Sequence, residues 1–363
     1  MTQRRIAIFV PNFNSNGTVR IGLSQAEVLL AAGQQPVLFV FRGDGDFQPP
    51  AGVPVHYLYA RDEPLGNLAA MQQGLRQLVR QVEAEQGTFD LFFSNTTRCD
   101  RVLAGCGFAP TYYFCHCALG KELWNEARRG PFKLWKRWQQ ARALIGQHII
   151  TVSHGIANEL RGLRWLEPAS VRTIYNPFLL DEIHKRMQEV PAGLPDEPFM
   201  IHVGRFARQK RHDILFQALQ RMPDAPKLVL LGTKPDKVRK LAARFGVADR
   251  VIAAGFQSNP YAWIARADLM LLSSDYEGLP TVLIEAIACG TPVVSTDCPH
   301  GPAEILTGNL RPYLVPCRDP QALADAALRC LASPPDLSDP EILRAVSAQQ
   351  IASQYLALCP PKA

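Results

Sequence analysis

Short apolar runs alternate with helical patterns along the whole of this 363-residue chain. In the first half they are RIAIFVP near the start, PVLFVFR (36–42), DLFFS (90–94), TYYFCH (111–116) and HIITVS (148–153). FMIHVG (199–204), KLVLLG (227–232), DLMLLSS (268–274) and TPVVST (291–296) repeat the scheme in the second half. A continuous apolar strand between helices is a parallel strand buried on both faces. Two such sets, in a chain too long for one core, predict two doubly wound α/β domains. PAGLPDEP (191–198) has three prolines, one glycine and two acids, and reads as a linker. The expected division is a first domain over 1–178, a linker over 179–198, a second domain over 199–340, and a helical tail over 341–363 able to pack back on the first domain. Ligands of such sheets sit at the carboxyl ends of the strands, so the sites are expected in the loops that follow them.

Composition narrows the class. With 39 Lys+Arg against 33 Asp+Glu the chain is mildly basic, which suits an anionic ligand or surface and is too weak to name nucleic acid. The nine cysteines are scattered and odd in number, which argues against a disulfide framework and for a reducing cytoplasm. Cys99, Cys106, Cys115, His116 and Cys117 form a loose cluster, but their spacing matches no common zinc pattern. No apolar run approaches the roughly 20 residues of a membrane helix, and the start lacks a signal-peptide core.

The stretch SSDYEGLPTVLIEAIACGTPVVSTD (273–297) reads as interior yet carries Glu277 and Glu285. A buried carboxylate without a partner is costly. Both glutamates therefore either point at water or are met by something outside the chain. The pattern predicts a strand, the loop DYEG, and a helix that begins at Pro280 and stops before Gly290. Glu277 lies at the mouth of the strand and Glu285 in the second turn of a nearly all-apolar helix. The unused N–H groups near Thr281 and Val282 make an anion site. A carboxylate accepts two hydrogen bonds side by side and so suits a vicinal diol. In HVGRFARQKRHDIL (202–215), Gly204 permits a sharp turn, after which Arg205 and Lys210 can converge on a diphosphate. A solvated basic loop is the other reading.

Taken together, the GR…K pattern after MIHV, the EGLPTVLIE spacing and the run GTPVVSTDCPHGPAEIL (290–306) resemble the family-4 retaining glycosyltransferases. VSHGIANEL (152–160) and IYNPF (174–178) extend the likeness into the first half. The resemblance implies the GT-B fold, two Rossmann-like domains facing each other across a cleft. It implies an acceptor-side first domain and a second domain that holds a nucleotide sugar. Arg205 and Lys210 would neutralise the donor diphosphate, Glu285 would hold the ribose, and Glu277 would contact the donor sugar. Gly204, Gly278, Thr281 and Val282 would frame the donor, and Phe256 and Gln257 in GFQSN (255–259) would meet the base. In the first domain Gly17 would admit the phosphates, although NSNGTVR (14–20) departs from the family's Gly-Gly pair. His116 would sit by the reacting sugar, or else be a core histidine with one satisfied nitrogen.

The implied activity is transfer of a hexose or N-acetylhexosamine, from a UDP-linked donor, to a lipopolysaccharide core or lipid-linked glycan. Two fixed cations make a metal or other cofactor unnecessary in this reading. Asp44 and Asp46 in GDGD (43–46) are better explained as a polar turn than as a metal pair. RRGPFKLWKRWQQARAL (128–144) has six basic residues, no acid and two tryptophans. As a helix it places Leu134, Trp135, Trp138, Ala141 and Ile145 on one face and Lys133, Lys136 and Arg137 on the other. That is either a membrane-surface helix, placing the protein on the inner face of the cytoplasmic membrane, or an ordinary helix packed on its own sheet. A nucleotide-sugar epimerase of the same fold and a non-catalytic partner protein are the competing functions. A nicotinamide dehydrogenase is disfavoured by the lack of Gly-x-Gly-x-x-Gly after the first strand of either half.

Overall fold

The computed structural model describes residues 3–14, 17–232 and 234–361. Two compact units emerge. Unit 1 comprises the residues up to Leu179 together with those from Val346 onward, and unit 2 runs from Leu180 to Ala345. The stretch 179–198 therefore contains a helix, Leu180–Arg186, that belongs to unit 2. It is tied down there: His184 Nε2 donates to Ala288 O at 3.1 Å and Arg186 donates to Ser258 O at 2.8 Å.

Unit 1 contains β1 (Arg5–Val10), β2 (Gln35–Arg42), β3 (Val55–Tyr59), β4 (Leu91–Ser94), β5 (Thr111–Cys115), β6 (His148–Thr151) and β7 (Ser170–Thr173). They form one seven-stranded sheet in the order β3-β2-β1-β4-β5-β6-β7. Unit 2 contains β8 (Phe199–Val203), β9 (Lys227–Leu231), β10 (Val251–Gly255), β11 (Leu269–Leu272), β12 (Val293–Thr296) and β13 (Leu314–Val315). Their order is β10-β9-β8-β11-β12-β13. All strand pairings between these elements are parallel. This is the doubly wound arrangement, and each sheet reverses its winding once: between β1 and β4 in unit 1, and between β8 and β11 in unit 2. The central strands are sealed, with Ile6 through Val10 and Leu269 through Leu272 buried. Polar side chains meet the outside only where these strands end.

The GDGD turn has a structural role. Asp44 pairs with its neighbour Arg42 at 2.9 Å, and Gly45 bridges to Phe13 so closely that a Cβ would stand 2.0 Å from the Phe13 carbonyl carbon.

Unit 1 is completed by the far end of the chain. Phe178 N donates to Val346 O at 3.0 Å, and Ser347 Oγ caps the helix Ala348–Leu356. That helix delivers Tyr355, fully buried, edge-on to Phe93 at 5.2 Å and Phe114 at 5.9 Å. Large-to-small changes at such positions cost about 3–5 kcal/mol. Tyr355→Ala should therefore lower the thermal stability of unit 1 by an amount in that range, read as early protease cleavage within unit 1 on heating, while unit 2 fragments persist.

Candidate functional site

In unit 2 the chain leaves β8 through Gly204, turns through Arg208–Lys210, and enters the helix His212–Gln220. It leaves β11 through Ser273–Leu279 and enters the helix Thr281–Ala288. Hydrogen bonds zip the two loops together. Ser273 Oγ donates to Lys210 O at 2.8 Å, and Asp275 N donates to Gln209 O at 2.9 Å. Arg211, left-handed at φ 48°, is held there by a two-pronged pair with Asp213 and a second pair with Asp275. Arg318 closes on the other side of Asp275 at 2.8 Å.

The result is a buried ion pair. Lys210 Nζ lies 2.8 Å from Glu277 Oε1, with side-chain exposures of 16% and 9%. Ser274 Oγ donates to the same Glu277 oxygen, and Gln209 Nε2 reaches Oε2 at 3.3 Å. The alternatives posed for Glu277 by the sequence are thus corrected. It does not face water, and it is satisfied from within the chain by a lysine 67 residues away. Gly204 is small for a reason: a Cβ there would stand 3.2 Å from Lys210 Cε and 3.3 Å from His202 Nε2.

Two histidines missed by sequence reasoning line this corner. His202 and His212 are buried with ring centroids 5.0 Å apart, and the Nε2 of each has no hydrogen-bond partner. Burial, with Lys210 nearby, pushes His202 well below its ordinary range and His212 down to about 4, so both are neutral at pH 7. Their signal in the sequence was the pair of histidines flanking the GR…K loop.

The remaining residues are arranged more openly. Arg205 is exposed. Gly278, Thr281, Val282 and Glu285 are half-buried around the start of the helix Thr281–Ala288, whose first N–H groups have no partner one turn back. Phe256 is 78% exposed, and Gln257 Nε2 turns back to Ala254 O at 2.9 Å.

In unit 1 a cavity of about 430 Å³ opens at the ends of β1, β4 and β5, where the winding reverses. His116 lines it, and both its ring nitrogens are buried without a partner. Burial lowers its pKa to about 4, so it meets the cavity as neutral imidazole. The core reading with one satisfied nitrogen is therefore not what the structure contains. Gly17 opens the helix Gly17–Ala31, and a Cβ there would touch nothing within 4 Å. Ser15 and Asn16 of NSNGTVR lie outside the described residues. Asp100 also lines the cavity, on the helix Thr97–Leu103 capped by Thr96.

The basic helix of the sequence reading is rearranged. It spans Pro131–Ala141, with Ala141 buried and Leu134 half-buried. Arg137 is not on the outer basic face: it turns inward, pairs with Glu122 at 2.6 Å and lines the cavity. Trp135 and Trp138 are not on the packing face either. They are exposed at 56% and 38%, beside exposed Lys133 and Lys136. The wheel failed because the packing face is set by a neighbouring helix, Leu119–Ala127, which supplies the carboxylate that draws Arg137 in.

Among the described residues no group of three or more His, Cys, Asp or Glu is placed to hold a metal ion. The Cys99–Cys117 cluster consists of free thiols.

Two doubly wound parallel units, each with charged or unpartnered polar groups at its switch point, define the GT-B architecture. Comparison with known proteins gives the family. The model described as Glycosyltransferase Family 4 matches residues 15–182, and that described as Glycosyl transferases group 1 matches residues 197–333. The chain thus carries both glycosyltransferase domains, the first in unit 1 but for its last few residues and the second within unit 2. It is 33% identical over 142 residues to an N-acetylgalactosamine-N,N'-diacetylbacillosaminyl-diphospho-undecaprenol 4-alpha-N-acetylgalactosaminyltransferase of Campylobacter jejuni, covering 39% of this chain and 38% of that one. It is 30% identical over 170 residues to a lipopolysaccharide 1,6-galactosyltransferase of Salmonella typhimurium, covering 44% and 46%. The chain thus spans about half or less of the curated relatives it matches. Among solved structures, Anabaena HepE in complex with UDP and glucose superposes with a TM-score of 0.75 at 19% identity, over 98% of this chain and 99% of that one.

Breaking a buried pair from one side strands a charge and costs about 3–5 kcal/mol. Lys210→Met should lose stability in that range by thermal denaturation, and adding Glu277→Gln should recover more than half of the loss. Arg205→Ala, at an exposed position, should move stability by less than about 0.5 kcal/mol.

Proposed function

We propose that the protein is a retaining glycosyltransferase that moves a hexose or N-acetylhexosamine from a UDP-sugar to a glycan carried on a lipid or on a lipopolysaccharide core. The observation that carries this reading is the Lys210–Glu277 pair at the switch point of the group 1 domain. There a fixed cation stands beside an open helix start, with Arg205 exposed on the preceding turn. As the bond from C1 of the sugar to the diphosphate breaks, its electron pair leaves on phosphate oxygen. Lys210 and Arg205 offset that charge, and no metal is needed for it. The acceptor hydroxyl forms the new bond to C1 on the same face and gives its proton to the departing phosphate. Glu285 takes the ribose diol, Glu277 the sugar hydroxyls, and the loop of Phe256 and Gln257 the base. The lipid-linked and lipopolysaccharide acceptors named for the similar proteins support this choice of acceptor.

Calorimetric titration of UDP, GDP and ADP tests the reading. UDP should bind, and Arg205→Ala and Glu285→Ala should each weaken it about tenfold, roughly the worth of one charge-assisted hydrogen bond. Unchanged affinity in both variants removes the site assignment. NMR of the product should show the anomeric configuration of the donor kept.

A lipid-borne acceptor calls for membrane contact, and no described helix is long and apolar enough to cross a bilayer. The surface that suits adsorption joins exposed Trp124, Phe132, Trp135 and Trp138. Cations frame it: Lys121 and Arg128 lie over the Trp124 ring at 4.8 and 4.6 Å, and Arg142 over Trp138 at 5.1 Å. Aromatics at headgroup depth inside a basic rim fit the inner, anionic leaflet of the cytoplasmic membrane. Lys133→Glu with Lys136→Glu should weaken binding to phosphatidylglycerol vesicles at least tenfold in co-sedimentation, as should Phe132→Ser with Trp135→Ser. Undiminished binding in both would exclude this surface.

A further inference from the structure

Left-handed backbone is uncommon outside glycine, and in this protein it is concentrated in one place. Among the described residues four non-glycines adopt it: Glu167, Arg211, His300 and Arg318. Three of them lie in loops at the carboxyl end of the unit 2 sheet. Arg211 (φ 48°) follows β8, His300 (φ 69°) follows β12 and Arg318 (φ 62°) follows β13. Glycine would take any of these conformations without strain. Strain of this kind persists only where the surroundings hold it, and where they do it points to function. Two of the three residues, Arg211 and Arg318, grip the same side chain.

That side chain is Asp275, in the loop after β11. Arg318 binds it with two prongs, Nε to Oδ1 at 2.9 Å and Nη2 to Oδ2 at 2.8 Å. Arg211 Nη1 also donates to both oxygens, at 3.2 and 3.3 Å. Burial alone would raise the Asp275 carboxyl, but Arg318 and Arg211 hold it below its ordinary range, so it is ionised at pH 7. One carboxylate thus fastens the loops after β8, β11 and β13. The loop after β12 is drawn in as well: Thr296 Oγ1 donates to Ser274 O at 2.7 Å, and Glu277 N donates to Pro299 O at 3.2 Å.

What this knot holds is the Lys210–Glu277 pair. Lys210 immediately precedes Arg211, and Glu277 lies two residues beyond Asp275. Gln209 is pinned between the loops, its backbone oxygen accepting from Asp275 N and its Nε2 donating to Tyr276 O. A lysine is a point charge on a flexible stem, so the place of its ammonium is set by where the two loops are fixed. Arg211 is not the cation offered to a ligand, because its guanidinium is engaged by Asp213 and Asp275.

We propose that Asp275 is a positioning residue: clamped by Arg211 and Arg318, it fixes the loops after β8 and β11 in register and so sets where the Lys210 ammonium meets the donor diphosphate. The clamp and its hold on Lys210 stand on the contacts alone. The diphosphate rests on the glycosyltransferase reading above.

Glycine variants test this, because at a left-handed position glycine removes the guanidinium and the backbone strain together. Full-length wild type, Arg211→Gly, Arg318→Gly and Asp275→Asn are compared by two measurements. Acetylation by an N-hydroxysuccinimide ester, read at Lys210 by mass spectrometry, reports release of the ammonium from its pair. Calorimetry reports UDP affinity. Lys210 labelling should rise about threefold or more in each variant. UDP affinity should fall about tenfold in Arg211→Gly and Asp275→Asn, and about threefold in Arg318→Gly. Arg318 is exposed and its loss leaves Arg211 on Asp275, so the thermal midpoint of Arg318→Gly should stay within about 3 °C of wild type. A role confined to stability predicts otherwise: a shifted midpoint, with labelling and UDP affinity of the folded protein unmoved. If Arg211→Gly or Asp275→Asn fails to fold, Arg318→Gly decides. The proposal falls if folded variants label Lys210 as wild type does, or if labelling rises while UDP affinity stays within about twofold of wild type. Should UDP fail to bind the wild type while Lys210 labelling still depends on Asp275, the glycosyltransferase reading falls and the clamp stands.

Discussion

A parallel sheet covered on both faces leaves its polar chemistry one exit, the row of loops where its strands stop. Both candidate sites described above follow from that constraint. β1, β4, β8 and β11 are largely buried strands at the middle of their sheets, and the loops that leave them diverge because the winding reverses at their ends. The crevice so formed is the place where a buried charge or an unpaired amide can be held by backbone on several sides and still face outward.

The two units use this place in opposite ways. In unit 2 most of the polar groups are paired among themselves, Lys210 with Glu277, Arg211 with Asp213 and Asp275, Ser273 with two carbonyls, and the Nε2 atoms of His202 and His212 are the ones left over. A ligand there must compete with, or be added to, an existing network, which suits strong anionic groups such as phosphates. In unit 1 the groups at the cavity are left incomplete, with Asn95 Oδ1 and both nitrogens of His116 lacking partners. A ligand of modest polarity, making a few neutral hydrogen bonds, gains more from such a surface because nothing has to be broken first.

Much of this was legible in the sequence, and the gaps have a pattern. The central strands announced themselves as unbroken apolar runs. Among the four edge strands, β10 is itself apolar (VIAAG), but β3 and β7 are not and β13 is only two residues long. An edge strand is covered less, so its residues need not be apolar, and HYLY in β3 or SVRT in β7 carries no such run. The loop residues of unit 2 were found because Gly204, Lys210 and Glu277 sit in recognisable order. Asn95, Gln25 and Tyr355 could not be found that way, since they are 70 and 330 residues apart and meet only through the fold. Arg137 shows the limit of a helical wheel. Charge suggested it faced out, but a partner on the next helix, Glu122, outweighed solvation.

The division of unit 1 into two stretches of chain bears on how the protein is made. A ribosome emits the residues up to Leu179, then the whole of unit 2, and only afterwards the helix that carries Tyr355. Domains tend to fold as they emerge. Unit 2 is contiguous and can close at once, whereas the nascent unit 1 must wait with the Phe93 and Phe114 surface uncovered and Gln25 lacking its hydroxyl partner. The paired amides of Asn95 and Gln25 gain their tyrosine hydroxyl only after unit 2 has been made, so the order of synthesis delays the completion of unit 1.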